Sequence, residues 1–202
     1  MVGGRLGYML LYDMGTLLAA PWKTFFVWEG GMASHGGIAG LAAAIAYSAY
    51  HYKQAFWKVA DVVVTLGPVG VFFGRLANYI NGELWGKVST VPWAVIFQEV
   101  KPIGVPRHPS QLYEAALEGL LVLAYLQWRF WRSQVTNRTP GQLSGEFFAL
   151  YAIVRIFGEQ FREPDADLIL GMSRGVFYSA IMLVFGIVFI LQARKRASRS
   201  ST

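Results

Sequence analysis

Residues 74–86 combine side chains that could bind a phosphate with a position at the edge of a membrane. Arg75 follows a long apolar run, and a charge inside a bilayer costs about 2.5–3.5 kcal/mol on insertion scales, so it is a functional candidate. On a helix Arg75 and Asn78 share a face, and Asn81-Gly82 predicts a turn that leaves Glu83 just outside the helix. Polar groups at the depth of lipid head groups predict a site for a lipid phosphate.

A second group of charged residues lies at the end of the apolar segment 145–161, where Arg155, Glu159 and Arg162 follow at helical spacing. Two interpretations are open. An internal Arg155–Glu159 ion pair could serve only to pack helices. Alternatively, Arg155 is a second cation that faces Arg75 across a water-filled cavity, where two guanidinium forks would match the oxygens of a phosphate.

Two further segments carry polar residues at predicted helix starts. In His35-Gly36-Gly37 the histidine either caps a helix, with glycines for tight packing, or accepts a proton, because imidazole titrates near neutral pH. The segment 107–114, Arg-His-Pro-Ser-Gln-Leu-Tyr-Glu, begins another span, and Pro109-Ser110 favours a helix start. Its polar residues either cap and hydrate the helix or bind substrate: His108, Tyr113 and Glu114, with Glu118 one turn later.

The composition indicates a membrane protein rather than a soluble domain. Of 202 residues, 54% are hydrophobic and only 15% are charged. The formal net charge of +6 fits the positive-inside rule, and nucleic-acid binding is a poor alternative because the basic residues are dispersed or lie beside spans. The absence of cysteine excludes disulfides, thiolate metal sites and catalysis by the chain's own thiol, and the three histidines lack metal-ligand spacing.

The hydropathy pattern predicts an all-α polytopic membrane protein that forms a single integral domain over residues 1–202. Residues 3–12 are apolar but too short to cross a bilayer, so they form an N-terminal partial helix. About five full spans follow, and Gly67-Pro68 should kink the second of them. The predicted spans are residues 36–52, 59–80, 111–128, 145–161 and 176–193.

The loop charges predict an orientation. Three connecting or terminal segments are basic, and they alternate with loops that contain Asp and Glu. The positive-inside rule then places the C-terminus in the cytoplasm and the Arg75, His108 and Glu159 ends of the helices at the outer face.

Residues 74–86, Gly-Arg-Leu-Ala-Asn-Tyr-Ile-Asn-Gly-Glu-Leu-Trp-Gly, closely resemble the signature of the prolipoprotein diacylglyceryl transferases, which are enzymes of the bacterial inner membrane. Three other blocks follow the family's order: His-Gly-Gly at 35–37, the segment 107–114, and Arg155 to Asp165. The resemblance runs from Gly3 to about Arg196.

The resemblance implies a reaction and a set of partners. A diacylglyceryl group moves from phosphatidylglycerol to the lipobox cysteine in the signal peptide of a prolipoprotein, a thioether forms, and glycerol phosphate leaves. The resemblance implies no metal or organic cofactor. Positioned positive charge suits this chemistry, because negative charge develops on the departing phosphate and the attacking thiol must become a thiolate.

The resemblance also assigns roles to residues. Arg75 would hold the phosphate of phosphatidylglycerol, and Asn78, Glu83 and Gly86 would shape that pocket. Arg155 would stabilise the departing phosphate. The remaining assignments are Glu159, which would orient Arg155, and His35, which would be the candidate base for the substrate thiol.

The sequence departs from the family in two places. Members of the family begin with a full span and most of another before the position of Gly3, including an essential tyrosine, so we expect either a mis-assigned start or a fragment. The family usually has Ser-Met-Gly-Gln before its last span, whereas residues 173–176 are Ser-Arg-Gly-Val. The resemblance therefore assigns no role to these four residues.

Two rival hypotheses need no transferase activity. A transporter or channel could use Arg75 and Arg155 as a pathway for an anionic solute, although a long outward loop with Glu83 and Trp85 beside the site favours an enzyme pocket. Alternatively, the chain is a truncated and inactive membrane protein.

Overall fold

The computed structural model describes residues 1–98, 100–164 and 168–200, and in these ranges every regular element is helical. This confirms the all-α class. The chain divides into two compact units, Met1–Val59 and Ala60–Thr202. The helices are α1 (Val2–Tyr12), α2 (Met14–Ala19), α3 (Ser34–His51), α4 (Phe56–Val64), α5 (Gly67–Ile80), α6 (Ser110–Glu114), α7 (Val122–Ser133), α8 (Val135–Arg138), α9 (Gln142–Gly158) and α10 (Arg174–Ser200).

In the first unit, glycines bring α1 and α3 into backbone contact. A Cβ atom added to Gly3 would lie 2.7 Å from the carbonyl oxygen of Gly36, and one added to Gly7 would lie 2.7 Å from the Cα atom of Gly36. Small residues four apart allow such close helix pairs in membrane proteins. The N-terminal partial helix is thus α1, and of the glycines after His35 it is Gly36, not Gly37, that packs tightly.

The second predicted span is interrupted as its sequence suggests. Helix α4 ends at Val64 and α5 begins at Gly67, with Pro68 in the first turn, where its missing N–H costs nothing. The Thr65 hydroxyl donates to the carbonyl oxygen of Val62 (2.8 Å) at the break. Helix α5 ends at Ile80, and Gly82 has a φ of 68°, which confirms the predicted turn before Glu83.

Helices α6 and α7 are the two ends of one continuous helical stretch. The residues between them, Ala115–Leu121, form a π-helix, a rare local form that often occurs at functional sites. Gly119 in this stretch packs on α5: an added Cβ atom would lie 2.7 Å from the Cβ atom of Phe72. The π-helical turn therefore lies directly against the helix that carries Arg75.

Helices α9 and α10 form the most extensive helix pair of the second unit. Gly145 and Gly186 permit the close approach, since a Cβ atom on Gly145 would lie 2.7 Å from the carbonyl oxygen of Gly186. On its other side α9 contributes to an apolar core with α7 and α8, which consists of Val122, Leu126, Val135, Leu143 and Val154. This packing fixes α9, which carries Arg155.

Two described helical stretches, Phe56–Ile80 and Arg174–Arg199, are long and apolar enough to cross a bilayer. Helix α3 has 18 residues and α9 has 17, slightly fewer than the about 20 that a span needs. The α6–α7 stretch is long enough but carries four charged side chains, Glu114, Glu118, Arg129 and Arg132. The count of five spans and the single domain therefore stay predictions.

Candidate functional site

The signature arginine, Arg75, is mostly buried and contacts two glutamates of the α6–α7 stretch. Arg75 Nη1 lies 2.9 Å from Glu114 Oε2, and Arg75 Nη2 donates to Glu118 Oε2 at 2.9 Å. Both glutamates have an exposure of 0%. They lie one turn apart at the junction of α6 and the π-helical turn, so both carboxylates point toward the same guanidinium.

Arg155 on α9 binds the same two glutamates from the other side. Its Nη1 donates to Glu114 Oε1 at 2.6 Å and to Glu118 Oε1 at 3.1 Å. Its Nη2 lies 2.9 Å from Glu159 Oε2, one turn along the chain. The predicted Arg155–Glu159 ion pair therefore exists. The expectation of a water-filled cavity between Arg75 and Arg155 is wrong, because shared carboxylates join the two guanidinium groups.

Two further side chains complete this buried group. The hydroxyl of Tyr151 donates to Glu118 Oε2 at 3.1 Å. Arg162 Nη1 lies 3.7 Å from Glu114 Oε1. We define the ion cluster as Arg75, Glu114, Glu118, Arg155, Glu159 and Arg162.

The ion cluster balances three positive against three negative charges in a poorly hydrated environment. Arg155, Glu159 and Arg162 are each less than a tenth exposed. Buried charges are stable only when they are paired and hydrogen-bonded, and removing one partner of such a group typically costs 3–5 kcal/mol. Each glutamate therefore holds the guanidinium groups in fixed orientations, which a mobile water shell would not do.

A cavity of about 570 Å³ borders the ion cluster. On one side it is lined by Tyr151, Arg155, Glu159 and Arg162, and on the other by the start of α10, including Arg174 and Ser179. This volume lies in the range of small-molecule and cofactor sites. Two buried guanidinium groups in its wall suit an anionic ligand, because arginine binds phosphate oxygens with paired N–H groups.

The loop between α5 and α6 is attached to the ion cluster at Arg162. Gly86 and Arg162 form an isolated antiparallel bridge, and the N–H of Lys87 donates to the carbonyl oxygen of Phe161 (2.9 Å). Gly86 is buried here, because an added Cβ atom would lie 2.7 Å from both the Cβ atom of His108 and the carbonyl oxygen of Phe161. Only glycine therefore fits between these two segments.

Asn78 and Glu83 form a more exposed pair at the end of α5. The amide nitrogen of Asn78 donates to Glu83 Oε2 at 3.2 Å. The backbone carbonyl of Glu83 accepts a hydrogen bond from Gln111 Nε2 (2.6 Å), which ties the turn to the start of α6. Among the contacts of the described residues, this pair does not join the ion cluster directly.

His108 and Tyr113 contact each other at the start of α6. The Tyr113 hydroxyl lies 3.2 Å from His108 Nδ1 and accepts a hydrogen bond from Trp93 Nε1 (2.7 Å). The helix begins at Ser110 as predicted, but the hydroxyl of Ser110 does not cap it and donates instead to the carbonyl oxygen of Leu84 (3.2 Å). The capping interpretation of this segment is therefore wrong for Ser110.

His35 belongs to the first compact unit, where it is the second residue of α3 and is exposed to solvent. The N-cap position of α3 is occupied by Ala33, which makes no side-chain cap. His35 therefore does not cap α3, and the capping interpretation of this residue is wrong.

The sequence-based list of candidates omitted three residues of this region. In the sequence Glu118 is marked only by its helical spacing, which places it on the same face as Glu114. Tyr151 lies one turn before Arg155, and this spacing was the available signal. Arg174 stands where the sequence departs from the family pattern, and only the packing of α10 on α9 places it beside the cavity.

Among the described residues, no group of three or more His, Asp and Glu side chains is arranged to hold a metal ion. The carboxylates of the ion cluster are instead occupied by arginines. The chemistry that this arrangement can perform is thus the binding of an anion and the stabilisation of developing negative charge.

Comparisons with known proteins agree with this chemistry. The family model described as prolipoprotein diacylglyceryl transferase matches residues 1–192. The chain is 47% identical over 203 residues to the phosphatidylglycerol–prolipoprotein diacylglyceryl transferase of Sinorhizobium medicae. The matched region covers 98% of this chain and 71% of that protein. Proteins of the same name from Rhodospirillum centenum and Idiomarina loihiensis are each 45% identical, covering 96% of this chain and 71% and 72% of the relatives.

Proposed function

The chain belongs to the prolipoprotein diacylglyceryl transferase family, and we propose that it transfers a diacylglyceryl group from phosphatidylglycerol to the lipobox cysteine of prolipoproteins. The observation that carries the proposal is the ion cluster. Arg75 and Arg155 are 80 positions apart in the sequence but share two buried carboxylates, those of Glu114 and Glu118. Arg155 also lines the cavity, together with Arg162. The geometry suits a phosphate that must be held and then released.

The reaction forms one bond and breaks one. The cysteine sulfur bonds to the terminal carbon of the diacylglyceryl group, the bond from that carbon to the phosphate oxygen breaks, and glycerol phosphate leaves with the electron pair. The phosphate goes from one negative charge toward two as it leaves. Preorganised positive charge at that position lowers the barrier, because it interacts more strongly with the transition state than with the ground state.

Arg155 and Arg162 are the residues that we assign to the departing phosphate, because both line the cavity. Glu159 orients Arg155 by its 2.9 Å ion pair. Glu114 pairs with both Arg75 and Arg155 and so couples the two guanidinium groups electrostatically. In this arrangement Arg75 supports the phosphate site from behind the carboxylates.

The remaining candidates shape the entrance to the site. Gly86 allows the signature loop to approach Phe161, and Asn78 and Glu83 hold the turn that precedes it. We assign substrate-binding roles to His108 and Tyr113, which lie beside Phe161 in an aromatic group. This assignment rests on their position next to the segment that carries Arg162.

The proton of the substrate thiol needs an acceptor, and we assign this role to His35. The His35 side chain is exposed, and an imidazole nitrogen can accept a proton from a thiol as the thiol becomes a thiolate. No metal or organic cofactor enters the proposed reaction. The thiol proton and the two products, thioether and glycerol phosphate, account for all atoms.

We also propose how the chain lies in the membrane. Five spans, residues 36–52, 59–80, 111–128, 145–161 and 176–193, cross the bacterial inner membrane, with the C-terminus in the cytoplasm. The basic residues that follow the third and fifth spans support this orientation, since cytoplasmic flanks carry an excess of Lys and Arg. The ion cluster then lies toward the outer leaflet.

The direct test incubates membranes that contain the protein with phosphatidylglycerol and a peptide that carries a lipobox cysteine. We expect the peptide to gain a diacylglyceryl thioether, detected by mass spectrometry, and a peptide with serine in place of the cysteine to gain nothing. The Sinorhizobium medicae relative serves as the positive control. If the relative modifies the peptide and this protein does not, although both are present in the membranes, the proposal is wrong.

Variants of Arg75 test the role of the ion cluster in the same assay. We expect Arg75→Ala to abolish transfer while the protein remains in the membrane fraction. Because this change also leaves Glu114 and Glu118 less compensated, Arg75→Lys is needed as a second variant that keeps the charge. Full transfer by Arg75→Ala would show that the phosphate site does not depend on Arg75.

A further inference from the structure

The cavity beside the ion cluster has a second wall that the proposed mechanism does not use. This wall comes from the first two turns of α10, where Arg174, Tyr178 and Ser179 line the cavity. Ser179 is only 4% exposed, so this face of α10 is turned toward α9 rather than toward lipid. Arg174 also lines the cavity and is exposed.

The start of α10 is held firmly against the ion cluster. The Ser173 hydroxyl accepts a hydrogen bond from the backbone N–H of Val176 (3.2 Å), which caps the helix. Gly175 lies directly against Glu159, since an added Cβ atom would be 2.6 Å from the carboxyl carbon of Glu159. Arg174 therefore extends from a fixed backbone position next to a member of the cluster.

Arg174 changes the charge balance of the site. The ion cluster alone contains three arginines and three glutamates, so it is neutral overall. Of the described residues that line the cavity, Arg155, Arg162 and Arg174 are positive and only Glu159 is negative. With Arg174 counted, the ion cluster and the cavity lining together hold four cations and three anions, an excess of one positive charge. A cleft lined by charge of one sign attracts ligands of the opposite sign.

A lipid head group would experience this excess directly. A phosphodiester with a neutral alcohol carries one negative charge, which the excess would balance. A zwitterionic head group brings an ammonium with its phosphate, and the ammonium would be repelled by the same arginines. Charge complementarity of this kind sets specificity more than raw affinity.

We propose that Arg174 is a specificity-determining residue that contacts the head group of the donor lipid and makes the site favour anionic over zwitterionic phospholipids. The inference rests on the proposed function, because it takes the cavity as the donor-lipid site. Arg174 binds and selects the head group, while the ion cluster stabilises the departing phosphate.

The test measures thioether formation by the full chain in mixed micelles at varied phosphatidylglycerol, for the wild type, Arg174→Met and Arg174→Lys. We expect Arg174→Met to raise KM for phosphatidylglycerol about three- to fivefold, as for a partly exposed charge pair, with kcat within about twofold. Arg174→Lys should restore KM, because it retains the charge. Arg194→Met, at the opposite end of the same helix, is the matched control and should leave KM unchanged.

Competition by phosphatidylethanolamine measures the selectivity itself. We expect the ratio of its inhibition constant to KM for phosphatidylglycerol to fall about threefold or more in Arg174→Met, since the ammonium is then repelled less. A purely structural role of Arg174 would lower the amount of folded protein without changing this ratio. An unchanged KM and an unchanged ratio in an active Arg174→Met variant would overturn the proposal.

A binding measurement separates this inference from the transferase proposal. Brominated phosphatidylglycerol in micelles should quench tryptophan fluorescence of the wild type at lower lipid fractions than it quenches that of Arg174→Met. Weaker quenching of the variant supports the head-group contact, whether or not a thioether forms. The lack of a thioether would contradict only the transferase proposal. Identical quenching together with a wild type that transfers normally contradicts the role of Arg174 and leaves the transferase proposal intact.

Discussion

Helix α9 has a buried polar cluster at each end. The buried charges of one cluster are stabilised by neutral hydrogen-bond donors, and those of the other by opposite charges. At its start, Asp61 is completely buried and accepts hydrogen bonds from the N–H of Gly141 (2.8 Å), the N–H of Ser144 (2.8 Å) and the hydroxyl of Ser144 (2.7 Å). We call these three residues the cap cluster. Near its other end, Arg155 and Glu159 belong to the ion cluster, which borders a cavity.

The cap cluster is saturated by neutral donors from a single helix start. Its carboxylate sits at the positive end of the α9 dipole and satisfies backbone N–H groups that the helix leaves unpaired. A further ligand would have to displace these bonds. The cap cluster therefore stabilises the position of α9, and nothing in its geometry offers an anion a place to bind.

The ion cluster is held by charges that several helices share. Glu114 and Glu118 each bridge Arg75 and Arg155, so an incoming anion can take over part of an arginine's pairing without leaving the other members uncompensated. Burial of a polar group is thus not by itself a sign of function. What distinguishes the ion cluster is shared pairing next to a cavity.

Among the variants that compare the two clusters, the largest effect is expected from Arg155→Lys. Lysine keeps the positive charge but cannot contact Glu114, Glu118 and Glu159 together, because it is a point charge without the planar fork. We expect transfer to fall about 100-fold, which is typical for the loss of one preorganised donor to a transition state. The measurement is the thioether assay, normalised to folded protein.

Arg129→Lys is the matched control for that variant. Arg129 also binds a carboxylate through two nitrogens, since Nε and Nη2 donate to Glu146 at 2.9 and 2.6 Å, but this pair does not border the described cavity. Transfer should change less than about twofold. Equal losses in Arg155→Lys and Arg129→Lys would remove the distinction between the ion cluster and other buried pairs.

The next effect is on stability and concerns the cap cluster. In Asp61→Asn an amide group replaces one carboxylate oxygen, so at least one buried donor of Gly141 or Ser144 loses its acceptor. We expect the free energy of unfolding to fall by about 2 kcal/mol. Denaturant unfolding in detergent measures it, while transfer per folded molecule should be unchanged.

Asp13→Asn is the control for this change. Asp13 caps α2 by accepting from the N–H of Thr16 at 3.3 Å, but it is only partly buried. Its replacement should cost less than about 1 kcal/mol. A loss of transfer by folded Asp61→Asn would show that the cap cluster has a functional role after all.

A smaller loss of transfer is expected from Gly86→Ala. The added methyl group would meet the backbone oxygen of Phe161 and the side chain of His108, so the loop must move away from the segment that carries Arg162. Transfer should fall about tenfold, equivalent to about 1.4 kcal/mol. The thioether assay measures it.

Gly74→Ala tests whether steric contact is the cause. Gly74 belongs to the same signature stretch, but a Cβ atom there would have no heavy atom within 4 Å, and alanine favours a helix interior by up to about 1 kcal/mol. This variant should keep full transfer. If Gly74→Ala were as impaired as Gly86→Ala, the close contact of Gly86 would not explain its effect.

The smallest effect is expected from Tyr125→Phe near the start of α9. The Tyr125 hydroxyl donates to Glu146 at 3.2 Å, but Glu146 also accepts from Arg129 and Gln142. We expect the free energy of unfolding to fall by less than about 1 kcal/mol, with transfer unchanged, because the remaining donors satisfy the carboxylate. A large effect on transfer would extend the functional region to this end of α9.

Spacing in the sequence was sufficient to find most of the ion cluster. Four of its members are charges within or beside apolar segments, where a charge is energetically costly and therefore marks a functional candidate: Arg75, Arg155, Glu159 and Arg162. Glu114 followed from the polar face at the start of α6. The same reasoning applied to Asp61, a lone acid in the second predicted span, would have marked the cap cluster as well.

Spacing could not reveal how these residues pair. Whether Arg75 and Arg155 face each other across water or share carboxylates depends on the distance between α5 and α9, which Gly119 and the apolar core determine. The position of Arg174 likewise depends on Gly145 and Gly186, which bring α10 onto α9. Such contacts between distant segments leave no periodic pattern in the chain.

The sequence alone determined the helical class, the helix break before Pro68, the turn at Gly82 and the charged residues of the site, because these follow from local propensity and from the cost of charge among apolar residues. The tertiary structure decided which charges share partners, that Ser110 does not cap α6, and that a cavity opens between α9 and α10. The physical reason is that pairing and cavities depend on the separation of helices, and that separation is set by side-chain volume between residues far apart in the chain.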